Sequence, residues 1–290
     1  MAFPLSINQN SKEVSHQVVL MSNLSAKTFT LMITFFSDRI IASTSSKVLE
    51  KEEMRVKLTW LGQAGFYLIS ENGVRIMIDP YLSDSLYVKN GESHRRLVPI
   101  NEEYLNTGVD VLILTHAHGD HTDFGTLDRI FEKNPDVTVL SARNVQALLR
   151  ERYGTGEGWM LFEPDTEVTI KGLRFRATFA MHSDPCPIGV VIEENGRFYC
   201  HTGDTMYHRR LTEDYPSRAE LLMLPINGKG NNMNAADAAR LTDILKPKRV
   251  FPMHWDLFER YSGDPEEFTA FLKAGETEIM RYPQYQEIDL

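Results

Sequence analysis

His116-Ala117-His118-Gly119-Asp120-His121, set directly after the apolar run Val109–Thr115, decides how this 290-residue chain is read. In an extended loop, residues two apart project to the same side, so His116 and His118 can reach one cation together. Asp120 and His121 then turn away at the approach to a helix, where a second cation is within their reach. The chain holds nine histidines in all, too few for such a cluster to be expected by scatter. Imidazole nitrogen and carboxylate oxygen without thiolate suit zinc, manganese or, less well, iron, and such donors leave the open position for water that catalysis requires.

Working outward, the chain alternates short apolar runs with turn signals. Arg55–Trp60 and Phe66–Ser70 read as strands, and Asn72-Gly73 reads as a hairpin turn into Val74–Ile78, ended by Asp79-Pro80. Leu127, Ile130 and Phe131 fall at helical spacing and Asn134-Pro135 stops that helix; a strand over Val137–Leu140 and a helix near Asn144–Arg150 follow. The second half has the same rhythm. Strands are expected over Glu167–Ile170, Leu173–Phe179, Gly189–Glu193, Phe198–His201, Glu220–Leu224 and Arg249–Pro252, with a helix over Asn234–Leu245 before the last. Two halves of strands followed by helices predict an α/β fold with two mixed sheets face to face and helices on the outer faces.

The motif H-x-H-x-D-H after an apolar strand resembles that of the metallo-β-lactamase fold superfamily, a four-layer αββα sandwich. Further segments of that pattern are found in order: Ala180-Met181-His182-Ser183, His201-Thr202-Gly203-Asp204-Thr205 and Phe251-Pro252-Met253-His254-Trp255, each just past a strand-like run. The resemblance implies that His116, His118 and His182 bind one metal, that Asp120, His121 and His254 bind the other, and that Asp204 bridges them. Two divalent ions, zinc or manganese, are the cofactors it implies. His16 in the extension, His94 in a charged loop, and His201 and His208 beside Asp204 have no ligand slot in that pattern.

Flanking segments narrow the resemblance. Leu58-Thr59-Trp60-Leu61-Gly62-Gln63-Ala64-Gly65, Asp79-Pro80-Tyr81-Leu82-Ser83-Asp84 and Pro225-Ile226-Asn227-Gly228 resemble the L-ascorbate 6-phosphate lactonase-like branch over roughly residues 54–265. Members of that branch hydrolyse a phosphorylated sugar lactone with manganese. The lactonases proper have no clear counterpart of His182 and carry a longer insertion before the histidine motif, so the full ligand set here argues for two metals. The expected activity is hydrolysis of a small ester or lactone by a metal-bound hydroxide. Asp120 is expected to hold the water and shuttle a proton to the leaving group. A phosphorylated substrate needs cationic partners, for which Arg95, Arg96 and Lys229 are the candidates, with His208 as a further contact. Asn234 and Asp237 read as a helix cap. The rival reading is a phosphodiesterase or nuclease on the same fold.

Composition sets the outer limits. Hydrophobic residues make up 42% and charged residues 24%, an ordinary globular mix, and no apolar run of eighteen residues could span a bilayer. The net charge of −9 runs against a general nucleic-acid binder, so the expected partner is a small molecule, with self-association left open. Cys186 and Cys200 form no disulfide framework and no C-x-x-C motif, which fits a reducing cytoplasm. Residues 1–53 contain no Gly, are rich in Ser and Thr, and lack the order of a signal peptide. They are read either as a flexible extension or as the product of a start codon assigned too early. Lys51-Glu52-Glu53 can be encoded by a purine run resembling a ribosome-binding site ahead of Met54. The catalytic domain is accordingly placed at 54–290.

Overall fold

The computed structural model describes residues 55–273, 275 and 277–290, so the extension and the boundary at Met54 lie outside the described residues. The rest folds as two seven-stranded mixed sheets. The first runs, in spatial order, β14 (Glu287–Asp289), β1 (Lys57–Gly62), β2 (Gly65–Ile69), β3 (Arg75–Ile78), β4 (Val111–Leu114), β5 (Thr138–Ser141) and β6 (Trp159–Leu161). The second runs β13 (Glu278–Ile279), β12 (Arg249–Met253), β11 (Leu221–Pro225), β10 (Arg197–His201), β9 (Ile188–Glu194), β8 (Leu173–Phe179) and β7 (Glu167–Ile170). The expected αββα architecture holds.

Alternation along the strands explains the layering, because successive side chains point to opposite faces. In β11, Leu221 and Met223 enter the core between the sheets, where they join Trp60, Phe66 and Phe251. Leu222 and Leu224 face the other way and pack with Ala238, Ala239 and Leu241 of helix α5 (Ala235–Leu245). A strand buried on both faces has to be apolar throughout, as Leu221–Pro225 is. On the first sheet, α2 (Phe124–Lys133) and α3 (Arg143–Tyr153) contribute Leu127, Ile130, Val145 and Leu149 to the core. The remaining helices are α1 (Ser85–Asn90), α4 (Leu211–Asp214) and α6 (Pro265–Phe271). None among the described residues is long and apolar enough to cross a membrane.

The hairpin between β2 and β3 forms, but not as a two-residue turn. Ile69 pairs with Arg75, leaving five residues in the connection, and the Ser70 hydroxyl accepts from the amides of Asn72 and Val74. Gly73 adopts φ +78 there, the left-handed conformation for which Gly is suited. The cap at Asn234 is as expected: its side chain accepts from the Asp237 amide at 2.8 Å.

Strand direction decides where function can gather. β3 and β4 are parallel, so both end on one side of the first sheet. Because β2 is antiparallel to β3 with Phe66 opposite Ile78, the β1–β2 turn lies at that same end. In the second sheet, β8 and β10 are both antiparallel to β9, and β10, β11 and β12 are mutually parallel; β8, β10 and β12 therefore all end together. Hydrogen bonds from Ile188 N to Thr115 O and from His254 N to Gln63 O join the two sheets at these strand ends.

Candidate metal centre

Each predicted ligand follows the end of a strand: His116 to His121 after β4, His182 after β8, Asp204 after β10 and His254 after β12. The histidine loop is held by its own chain. The Thr122 hydroxyl donates to His116 O at 2.7 Å, and the amides of His121 and Thr122 both donate to His118 O. Asp184 ties the loop to the segment after β8 by accepting from the Ala117 amide at 3.0 Å and from the Asn144 side chain at 2.6 Å.

Two donor clusters result. His118 Nδ1 lies 3.0 Å from His116 Nε2 and 3.0 Å from His182 Nε2. His121, Asp204 and His254 converge in the second cluster, with His254 Nε2 2.6 Å from Asp204 Oδ1. Asp204 Oδ2 is 3.4 Å from His121 Nε2 and 3.7 Å from His182 Nε2, so this carboxylate reaches both clusters. Asp120 Oδ2 stands 3.8 Å from His121 Nε2. The structure thus brings all seven predicted residues around one centre.

These donors fit divalent cations. Three imidazole nitrogens, two of them 3.0 Å from the third, cannot all be satisfied by hydrogen bonds among themselves, whereas ligands at about 2.1 Å from a tetrahedral ion stand about 3.4 Å from one another, close to this spacing. Among the buried side-chain atoms, His121 Nε2, His254 Nε2 and Asp204 Oδ1 have no hydrogen-bond partner. The His254–Asp204 approach is short but lacks hydrogen-bond direction, as expected of two groups aimed at a common third partner rather than at each other. Buried polar atoms without partners are costly, and a cation at this point removes the cost.

Electrostatics favours the same state. Burial, reinforced by neighbouring histidines, holds His116 well below the usual imidazole range, so it is neutral and its lone pair is available. Burial, with smaller contributions from His118 and His121, also lowers His182. For Asp204 burial favours the protonated acid, but His254 and His121 outweigh it and the carboxyl lies well below the ordinary range. Burial disfavours charge on His121 as well, yet Asp204, Asp120 and Asp79 overcome it and raise that imidazole. Three carboxylates crowded around one ring call for positive charge.

A supporting layer was not foreseen from the sequence. Asp79, expected only to end a strand, is fully buried and accepts from His121 Nδ1 at 2.7 Å and from the Thr115 amide at 2.8 Å. This contact keeps a ring proton on Nδ1 of His121 and turns Nε2 toward Asp204, where it would serve a cation. Gln63 Nε2 lies 3.0 Å from Asp120 Oδ2 and 3.2 Å from His254 Nδ1, and Asn232 donates to Asp204 Oδ2 at 2.8 Å. His201 accepts from the Gly203 amide and its other nitrogen lies 2.9 Å from Ala64 O, linking the Asp204 loop to the β1–β2 turn. Gln63, Asp79 and His254 all have positive φ, backbone strain concentrated at the site. The available signal was their shared position at strand ends that the sheet topology brings to one side.

The donors open on a cleft of about 270 Å³. Of the predicted substrate contacts, Lys229 lines it, and its Nζ donates to Arg260 O at 2.7 Å. The other three do not line it. Arg95 is bound by Glu92 and Tyr87 on the exposed side of its loop. Arg96 donates to Tyr81 O and the Tyr285 hydroxyl, and so braces the fold. His208 packs on Phe179 and accepts from the Arg210 amide. His94, given no role from the sequence, does line the cleft, together with Phe258 and Tyr261. His16 lies outside the described residues.

Comparison with known proteins places this architecture. The family described as "Beta-lactamase superfamily domain" matches residues 74–255, more than half of the chain. The chain is 33% identical to a UPF0173 metal-dependent hydrolase of Aeropyrum pernix, over 73% of this chain and 87% of that one. It is 30% identical to a second, from Pyrococcus horikoshii, over 81% of this chain and all of the other. Among solved structures it is similar to Igni18, a metallo hydrolase of Ignicoccus hospitalis, with a TM-score of 0.63 at 26% identity, covering 81% of this chain and 98% of that one.

Proposed function

This chain belongs to the beta-lactamase superfamily domain family, and on that premise we propose that it is a metal-dependent hydrolase acting on the ester or lactone bond of a small molecule. The observation that carries the reading is the inward convergence of His121 Nε2, His254 Nε2 and Asp204 Oδ1, buried and without hydrogen-bond partners, beside the three-nitrogen cluster of His116, His118 and His182. Nitrogen and oxygen donors of this kind suit zinc or manganese. Bound divalent ions supply an activated water at neutral pH and a Lewis acid for the carbonyl.

The protein's own groups supply the rest. Asp120 lines the cleft with one carboxylate oxygen held by Gln63, leaving the other to take a proton from the attacking water and pass it to the leaving group. Asp204, fixed by Asn232, holds the two donor clusters in register. The strand ends set these groups on rigid elements, so little reorganisation accompanies the reaction.

A cleft of about 270 Å³ lies just below the usual range for small-molecule sites, which favours a compact substrate over a polynucleotide. The net charge of −9 points the same way. Free Cys186 and Cys200 accord with a cytoplasmic setting. Metal quantification of the purified protein, followed by a screen of lactones, phosphorylated lactones and phosphodiesters, tests the reading. Bound zinc or manganese with turnover of an ester or lactone supports it; a metal-free protein, or turnover confined to phosphodiesters, overturns it.

A further inference from the structure

Besides the metal donors, the cleft's lining includes a second group of residues of different chemistry. His94, Phe258 and Tyr261 form it, with Leu86 beside them. His94 contacts the other two rings, 5.6 Å from Phe258 and 5.1 Å from Tyr261, centroid to centroid. This wall belongs to a small apolar cluster of its own, centred on Tyr81, Leu257 and Phe258 and separate from the two main cores.

The wall is braced from behind. Tyr81 packs edge-on against Phe258 at 5.5 Å, and its hydroxyl accepts from the Leu86 amide. Arg96 bridges to Phe258 through the backbone, donates to Tyr81 O at 2.7 Å and lies 5.4 Å from the centre of the Tyr81 ring. Leu97 N donates to Leu257 O at 2.9 Å. Three rings held this firmly form a tilted aromatic notch at low entropic cost, with half-buried His94 and Tyr261 exposing its walls and buried Phe258 backing them.

Charge around the cleft is accounted for. Lys229 is the sole Lys or Arg among the lining residues, and its ammonium is turned onto two backbone carbonyls, those of Arg260 and Ser262. Arg260 lies over the Tyr261 ring at 5.6 Å, outside the lining. Arg95 is paired with Glu92. A phosphoryl group entering here meets no forked guanidinium and no fully free ammonium, while part of the lining is aromatic.

We infer that His94, Phe258 and Tyr261 form a subsite for a planar or apolar group, so that the substrate is an uncharged aryl or similarly flat ester or lactone rather than a phosphorylated sugar. This rests on the ester or lactone reading for the reaction itself. The donor clusters hold the bond that breaks, and the aromatic wall takes the flat portion next to it.

The test compares the full-length, metal-loaded protein with His94→Ala and Tyr261→Leu, each checked for metal content and melting temperature. Hydrolysis of phenyl acetate is measured against methyl acetate and against phenyl acetate bearing a ring phosphate. The wild type is expected to prefer phenyl acetate over both. Each variant should lose roughly two- to tenfold of the phenyl-over-methyl preference in kcat/KM, mostly through KM, the scale of one aromatic contact. Equal losses on both acetates, or faster turnover of the phosphorylated ester, overturn the subsite. If no ester is hydrolysed, the reaction reading fails by itself. The subsite is then judged by NMR titration of the loaded protein with benzyl alcohol: weaker binding in both variants supports it, and no binding to the wild type overturns it.

Discussion

Replacing Asp79 with Asn should separate metal binding from folding. Asp79 is fully buried and accepts three hydrogen bonds: from the Thr115 amide at 2.8 Å, the Thr115 hydroxyl at 2.5 Å and His121 Nδ1 at 2.7 Å. As a carboxylate it can only accept, so with a cation bound the His121 ring proton sits on Nδ1 and Nε2 is left to the metal. An Asn in the same shape keeps its oxygen for the Thr115 amide and turns its NH₂ toward His121. Nδ1 must then accept, the proton moves to Nε2, and the donor aimed at the metal is lost. Loss of such an orienting partner costs about 10- to 100-fold in metal affinity, or about 1.4–2.7 kcal/mol. In the metal-free protein the Thr115 amide still donates to the Asn oxygen, the NH₂ meets the Thr115 hydroxyl and His121 Nδ1, and one of the carboxylates around His121 is removed. Metal-free stability should therefore move by less than about 1 kcal/mol. Competition against a chromophoric chelator reads the first quantity and urea unfolding of the chelated protein the second. Metal affinity within a factor of two of wild type would show that Asp79 does not set the His121 tautomer.

Three further outcomes follow from named contacts. Gly203 has φ +60 and a Cβ there would stand 2.3 Å from Ile188 O, so Gly203→Ala should destabilise by at least about 2 kcal/mol in chemical denaturation; a smaller loss would show that the Asp204 loop relaxes freely. Asp120→Asn should lower kcat at least about 100-fold with a shift in melting temperature under about 3 °C, since the group moves a proton that the amide cannot take; unchanged turnover removes Asp120 from the mechanism. Asp110 accepts from Arg75 Nε at 2.9 Å and from Lys171 Nζ at 2.5 Å, contacts that hold its carboxyl below the usual range. A depressed folded pKa contributes stability above the unfolded value of about 4 and loses it as pH falls toward the folded one. Asp110→Asn should thus cost about 1 kcal/mol at pH 7, and the gap should narrow in urea titrations below about pH 4; a gap independent of pH would assign the loss to packing.

The amino-acid sequence by itself determined the elements and the donors. β7 and β8 have the bounds their alternation predicts, Glu167–Ile170 and Leu173–Phe179, because a half-buried strand writes its period into local sequence. The seven converging side chains were legible as a set: His116, His118, Asp120 and His121 by their spacing, and His182, Asp204 and His254 because the resemblance to the metallo-β-lactamase fold superfamily assigns a donor just past each of three later apolar runs. Tertiary structure alone decided what those donors rest on. β14 closes the first sheet by pairing Ile288 with Leu58, across almost the whole described chain, and no local pattern specifies that partner. Asp79 and Gln63 looked like a strand end and a turn until sheet topology brought β3 and the β1–β2 turn to the end of β4. Arg95 and Arg96 were conspicuous cations in sequence, yet Glu92 and Tyr81 claim them. His94, inconspicuous in a charged loop, is carried to the cleft by the cluster around Tyr81 and Phe258. A charge advertises itself along the chain, but which partner takes it up is settled only when distant segments pack.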